Sequence, residues 1–416
     1  MEVVFFAQLF LVLGAILLGT RMRGVGLGVV SCLALSLLVL FFDVKPVNPP
    51  YTVLVIMIAA LTAGAALEGA GTLDLLTAWV ERIFTNYPHL LTWLSPLIIY
   101  LLVLCTGTSH IIYVLLPVIV KAAQRGGISP AKPLIASVIA SQQAILASPV
   151  SAATSIIAAH FPAYSQGKLM LLFLPATFIG TFMTTWVAYA MHRDPSFCVI
   201  EKKVKRESID KEYPFARIAL LIFLLGVLGV VASDYFFRYQ GRTKPQGLTA
   251  LILLSVAGII TCFTGTKKIA KGRVFSVGME AVIAILGVAW LSSSFLEEHK
   301  DTLIEWVGGG ERSEWQWALF FFLTTIISTS QGATLTLMLP LALSALGPSK
   351  LLYIIPAINS FYVLPSYPTV LAAVAIDKTR SIRIGRFVIN HSFLLPGLVG
   401  TCATCLSAYF IHIFFF

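Results

Sequence analysis

The chain has 416 residues, of which 58% are hydrophobic and 12% charged, with a mean hydropathy of +0.89. A soluble domain carries about 25% charged residues, so a soluble enzyme or binding module is excluded and a polytopic membrane protein is indicated. The net charge of +10 does not point to nucleic acid, because the basic residues stand in short clusters between apolar segments, where loop orientation accounts for them.

A bilayer core is crossed by roughly 20 apolar residues in a helix, and the first segments of that kind are residues 3–20, 24–42 and 52–70. The first lacks a basic leading region and runs into "GTRMRG", so it reads as a retained span and not as a cleaved signal. "LDLLTAWVERIF" (73–84) is too short and too polar to span, and reads as an amphipathic helix at the interface. Next comes a long apolar segment, 90–122, interrupted at Thr106, Gly107, Thr108, Ser109 and His110. Residues 133–159 form a span broken around Ser148, Pro149 and Ser151, and 168–191 form another. A hydrophilic stretch, 192–217, divides the chain. Beyond it lie spans at 218–236, 247–264 and 276–296, then a polar region, 297–314, in which acids outnumber bases. A second interrupted segment, 315–346, breaks at Ser328, Ser330, Gln331, Gly332 and Thr334. It is followed by 351–376, broken around Ser366, Pro368 and Thr369, and by a last span, 387–416.

Half of an interrupted segment covers only about 20 Å at 1.5 Å per residue, too short for a core of about 30 Å. A helical hairpin that enters and leaves by one face fits better than a kinked crossing, and its tip must be buried in protein or line a watery cavity. Ten spans plus two re-entrant hairpins (90–122 and 315–346), with both termini periplasmic, place most of the 29 lysines and arginines inside and make 192–217 a cytoplasmic linker. The expected fold is therefore an all-α polytopic membrane protein.

"CTGTSHIIYVLLPVI" followed by "ASQQAILASPVSAATSIIAA" resembles in pattern "STSQGATLTLMLPLAL" followed by "AINSFYVLPSYPTVLAAVAI". Each pair has a hydroxyl-rich tip, a later proline, and then a span broken by serine and proline. In the topology above the two halves, 1–191 and 218–416, begin on opposite sides, so they read as inverted repeats, and paired broken helices at corresponding positions point to a transporter site. Broken ends offer free N–H groups and positive helix dipoles. With the hydroxyls of Thr108, Ser109, Ser148, Ser151, Ser330, Ser366 and Thr369 and the amide of Gln331, they suit a small anion with separated carboxylates. Kinked backbone satisfied by local hydroxyls is the competing account of the same residues.

No nucleophile pattern, metal-ligand set or Walker motif appears, so neither an enzyme nor an ATP-driven pump is indicated, and no cofactor is called for. Cys402 and Cys405, three apart in an apolar run, read as small-residue packing. Glu68 and Glu280 are ionisable groups within spans and so functional candidates, with a helix end and snorkelling as their respective alternatives. Asp377 reads as an interfacial partner of Lys378 and Arg380.

"ASPVSAA", "STSQGAT", "LPSYPTVLAAV", "RIGRFVINHSFLLPG" and "ILGVAWL" together resemble, in order and spacing, segments of the anaerobic C4-dicarboxylate transporter (Dcu) family. The resemblance runs from "FDVKP" to the C-terminus. It implies a bacterial inner-membrane exchanger of fumarate, succinate, malate and aspartate, with a fold similar to the ion-transporter superfamily: a scaffold domain, a hairpin-bearing transport domain, elevator movement and a homodimer. Sodium- or proton-coupled symport of such acids is the alternative. The chain departs from the family pattern at Gly107-Thr108-Ser109-His110, where Gly-Thr-Gly-Asn is usual, and at Glu280, where a small polar residue is usual.

Overall fold

A computed structural model describes residues 2–22, 25–49, 51–192, 214–240, 247–266, 272–299, 313–328, 331–363, 367–383 and 390–415, with residues 242, 245, 269 and 302 besides. Most of the linker expected at 192–217 and of the polar region expected at 297–314 lies outside the described residues.

The described chain is helical. The first half contains α1 (Glu2–Arg21), α2 (Gly26–Phe42), α3 (Tyr51–Gly69), α4 (Thr72–Asn86), α5 (Leu91–Thr106), α6 (Ile112–Arg125), α7 (Ala131–Ala147), α8 (Ala152–His160) and α9 (Gln166–Met191). The second contains α10 (Ala216–Tyr239), α11 (Leu248–Thr264), α12 (Arg273–Glu298), α13 (Glu314–Ser328), α14 (Gln331–Leu346), α15 (Pro348–Ile354), α16 (Pro368–Ile376) and α17 (Leu394–Phe415). By length and composition, four stretches among the described residues suffice to cross a membrane: Ala131–His160, Gln166–Met191, Ala216–Ser233 and Leu394–Phe415. The bent pair Leu54–Gly69 and Thr72–Phe84 makes a fifth if taken as one span. The other expected spans form shorter apolar helices of 10–17 residues.

Local chemistry sets the breaks. Gly71, in a left-handed conformation at φ 73°, precedes α4, and the chain bends there by 69°, where the sequence separates a span from an amphipathic helix. Serines cap the helices that restart: Ser151 accepts from Thr154 N at 3.1 Å and Ser165 from Lys168 N at 2.9 Å. Two boundaries differ from the sequence reading. The break expected around 365–369 begins earlier, because regular helix ends at Ile358 and resumes only at Pro368, and the last helix starts at Leu394 and not at 387.

Glycines bring helices from the two halves together. α2 packs along α12, and α3 along α11. A Cβ on Gly28 would collide with the Ile283 carbonyl, and one on Gly287 with the Gly28 carbonyl. α3 and α12 are also clipped at both ends. Trp290 Nε1 donates to Val47 O at 2.6 Å and Val47 N to Ser294 Oγ at 3.1 Å, while Val274 N donates to Glu68 Oε2 at 2.9 Å. Glu68 thus serves the first turn of α12, where a carboxylate satisfies orphan N–H groups.

The crossing of α9 with α17 is reciprocal. Both carry the pattern Gly-Thr-x-x-Thr, Gly180 to Thr184 and Gly400 to Thr404. A Cβ on Gly180 would collide with Thr404 Oγ1 and lie 2.7 Å from Gly400 O; one on Gly400 would collide with Thr184 Oγ1 and lie 3.0 Å from Gly180 O. Gln143 of α7 sits at the crossing, where its Oε1 accepts from Thr404 Oγ1 at 2.7 Å. Between apolar helices in lipid, such close backbone approach supplies the packing that hydrophobic burial supplies in water.

Loops complete the frame. The buried Asp377 carboxylate accepts from Thr379 N and Oγ1, from Ser381 Oγ at 2.8 Å and from Ile382 N at 2.8 Å. It organises a loop where the sequence suggests an interfacial ion pair, and Ser381 Oγ in turn accepts from Ala131 N, at the start of α7. Glu314, heading α13, pairs with Lys350 at 2.8 Å and accepts from the Tyr353 hydroxyl at 2.7 Å. These two partners hold its carboxyl below the usual range.

Gly400→Leu should abolish the α9–α17 contact and with it the folded protein, because the colliding groups are a helix backbone and a buried threonine. Gly258→Ala, at a position with nothing within 4 Å of an added Cβ, should leave thermal unfolding in detergent within about 0.5 kcal/mol of the parent.

Candidate functional site

The first tip is made where α5 stops. Gly107 takes a left-handed φ of 70°, and a single turn, Ser109–Ile111, leads into α6. A Cβ at Gly107 would lie 2.8 Å from Val150 O, so tip and broken helix touch through backbone, and only glycine suits both the angle and the approach. The break between α7 and α8 is anchored by Ser148 Oγ, which donates to Leu104 O at 2.7 Å. The second half repeats this bond: Ser360 Oγ donates to Phe322 O, also at 2.7 Å.

At the centre, side chains from both halves meet. The Tyr367 side chain lies beside Ser109 of the first tip and Gln142 of α7. Gln142 Nε2 lies 3.4 Å from Thr369 Oγ1. Gln331, opening α14 at the second tip, donates through Nε2 to Gln142 O at 3.1 Å and to Asn359 Oδ1. The Asn359 carbonyl accepts from Thr401 Oγ1 at 2.7 Å, and Thr401 is held by the Tyr362 hydroxyl at 2.8 Å. Ser109, Gln142, Gln331, Asn359 and Thr369 are all buried. A cavity of about 10 Å³ remains beside them, where Gln142, Asn359, Tyr367 and Thr369 meet apolar side chains such as Val138, Ile139 and Phe361. None of the polar side chains named here is charged.

Of the residues marked in the sequence, the structure brings Ser109, Gln331 and Thr369 into this centre. Others are engaged locally. Thr106 Oγ1 donates to Leu102 O, Pro149 O accepts from Gln166, Ser151 caps α8, Gly332 O accepts from Thr336, and Thr334 Oγ1 accepts from Thr325. Thr108 is half-buried, with its carbonyl 3.4 Å from Thr106 Oγ1. Ser330 and Ser366 lie outside the described residues, as do the side chains of His110, Ser328 and Pro368.

Sequence reasoning missed Gln142, Asn359 and Tyr367. Each had a signal: a glutamine pair inside the apolar run "ASQQAILA", and an asparagine and a tyrosine flanking the proline break. Polar side chains at membrane depth demand partners or a ligand.

Over residues 4–416 the chain matches a family described as anaerobic C4-dicarboxylate membrane transporters. It is similar to the C4-dicarboxylate transporter DcuA of Wolinella succinogenes, at 34% identity over 94% of this chain and 95% of that one. It is similar also to the anaerobic C4-dicarboxylate transporter DcuB of Escherichia coli O157:H7, at 32% identity over 96% and 97%. Among solved structures, the Alcanivorax borkumensis YdaH transporter aligns with a TM-score of 0.58 over 94% of this chain and 98% of that one; at 14% identity the likeness is one of fold.

Ser148→Ala strips the Leu104 carbonyl, in the last turn of α5, of its donor and should cost about 1–3 kcal/mol, read as a fall in thermal stability in detergent. Ser360→Ala removes one bond to Phe322 O, inside α13, and should cost about 0.5–1.5 kcal/mol. Ser36→Ala, which removes an exposed hydroxyl bonded within its own helix, should cost little.

Proposed function

The chain belongs to the anaerobic C4-dicarboxylate membrane transporter family, and from that membership we propose that it exchanges fumarate, succinate, malate and aspartate across the bacterial inner membrane. The observation that carries this reading is the meeting of the two breaks: Gln331 donates to the Gln142 carbonyl and to Asn359, and Gln142 Nε2 lies 3.4 Å from Thr369 Oγ1. Hydroxyls, amides and backbone N–H groups can hold two carboxylates, since hydrogen bonds to a charged partner are the strong ones. No buried cation then has to be stripped of water when the site empties.

The movement we infer is of the elevator type, with ten spans, two re-entrant hairpins and both termini periplasmic. Three correspondences between the halves support an inverted repeat. The Ser148–Leu104 bond has its counterpart in Ser360–Phe322, the Gly180–Thr404 contact in Gly400–Thr184, and the α2–α12 packing in α3–α11. In this scheme α1–α3 and α10–α12 form the scaffold and the dimer surface is theirs by family likeness, while α5–α9 and α13–α17 carry the site. A cavity of about 10 Å³ has room for about one water, so a diacid enters only after the tips part.

Proteoliposomes preloaded with succinate should take up labelled fumarate or aspartate, and empty vesicles should do so poorly. Equal uptake into empty vesicles driven by a sodium or proton gradient would instead establish the symporter.

His110 stands in the turn of the first tip, and an imidazole changes charge near pH 6.5. If its ring faces a dicarboxylate and does not simply cap the next half-helix, the protonated form strengthens binding. Uptake of a substrate that stays fully ionised should therefore rise between about pH 8 and 5.5, and His110→Asn should flatten the rise. Parallel profiles would remove His110 from the site.

A further inference from the structure

Three buried atoms at the meeting of the breaks have no hydrogen-bond partner among the described residues: Gln331 Oε1, Gln142 Oε1 and Asn359 Nδ2. The exposures of these residues are 5%, 4% and 2%. Buried polar groups are nearly always paired, so each unanswered one marks a place where a partner belongs.

Two of the three orientations are fixed by their neighbours. Gln331 meets the main-chain carbonyl of Gln142 at 3.1 Å. A carbonyl can only accept, so the amide nitrogen faces it and Oε1 faces away. The same nitrogen donates to Asn359, which places Oδ1 on that side and leaves Nδ2 unanswered. An acceptor and a donor are thus left open on one bonded amide pair. Gln142 adds a second acceptor, its nitrogen lying 3.4 Å from Thr369 Oγ1.

An unsubstituted diacid brings acceptors only. Its carboxylates can answer Asn359 Nδ2 and the hydroxyls of Ser109 and Tyr367, but they leave both glutamine oxygens without a donor. A diacid with an α-amino group brings, beside one carboxylate, an ammonium with three N–H donors. We propose that Gln331 Oε1 and Gln142 Oε1 accept from the α-ammonium of the substrate while Asn359 Nδ2 donates to the adjacent carboxylate, so that this carrier selects aspartate over succinate and fumarate. A hydroxyl at the same carbon, as in malate, supplies one donor and ranks between them. The discrimination is large because an analogue lacking the donor leaves buried acceptors stripped of water and unpaired. This inference rests on the dicarboxylate-exchange reading above and specifies which side chains distinguish among its substrates.

The test is competition against labelled fumarate in preloaded proteoliposomes by unlabelled aspartate, malate and succinate. For the parent protein, aspartate should compete at least about tenfold more tightly than succinate, with malate between; tenfold corresponds to about 1.4 kcal/mol. Gln331→Met keeps the length of the side chain and removes its amide, and should bring the aspartate-to-succinate ratio towards unity. Gln142→Met is a second substitution with the same expectation, and the ratio in the parent requires no variant to fold. Asn359→Leu should weaken both diacids alike and preserve the ratio. Equal competition by aspartate and succinate in the parent overturns the inference, as does a ratio unchanged in both glutamine variants. Vesicles that exchange no dicarboxylate at all overturn the exchange reading, and this inference with it.

Discussion

Backbone that leaves the helix inside hydrocarbon must find its hydrogen bonds within the protein, and this requirement organises the molecule. Each interrupted segment ends an arm with carbonyls that no helical turn can satisfy. Ser148 answers one of these at Leu104, in the last turn of α5, while Ser360 bonds Phe322 inside α13. At the centre the requirement crosses between halves: the Gln142 carbonyl is met by Gln331, and the Asn359 carbonyl by Thr401. The irregular segments therefore cannot lie apart. Satisfying them draws the first tip, the start of α14 and both broken helices to one place.

The two halves are alike in frame and unlike at the centre. Gly180 with Thr404 and Gly400 with Thr184 are interchangeable contacts, yet the break after α7 is short, Ser148 to Ser151, whereas the second runs from Asn359 to Tyr367. The longer break brings Asn359 and Tyr367 into the site, and the shorter one has no equivalents of them. Matching contacts in the two halves thus surround a centre to which the second half supplies most of the polar side chains, Gln331, Asn359, Tyr367 and Thr369.

Much of this was legible in the sequence where the signal was local. Apolar run lengths placed the helices, and hydroxyl-rich interruptions placed the breaks at Gly107 and Ser148. What escaped is what depends on long-range pairing. Nothing in "LEGAG" says that Glu68 serves the first turn of α12, and nothing near Asp377 says that its carboxylate gathers four donors from the residues just after it. The hydroxyls look alike in sequence, but Thr106 and Ser151 turn to their own backbone while Ser148 reaches across to the Leu104 carbonyl. Hydroxyl chemistry is the same in both cases; only the fold separates them. Proline drew attention to the region around Pro368, although helix is lost well upstream, at Asn359.

The reciprocal crossing of α9 and α17 also bears on how the molecule is made. Gly180 and Thr184 are synthesised in the first half, and the surface they fit belongs to the last helix of the chain. Until α17 enters the bilayer, α9 presents to lipid a notch shaped for a threonine, and Gln143 lacks the hydroxyl that its side-chain oxygen accepts from. The first half must therefore persist in the membrane as an open, lipid-bathed intermediate throughout the translation of the second. Closure of this crossing waits for α17.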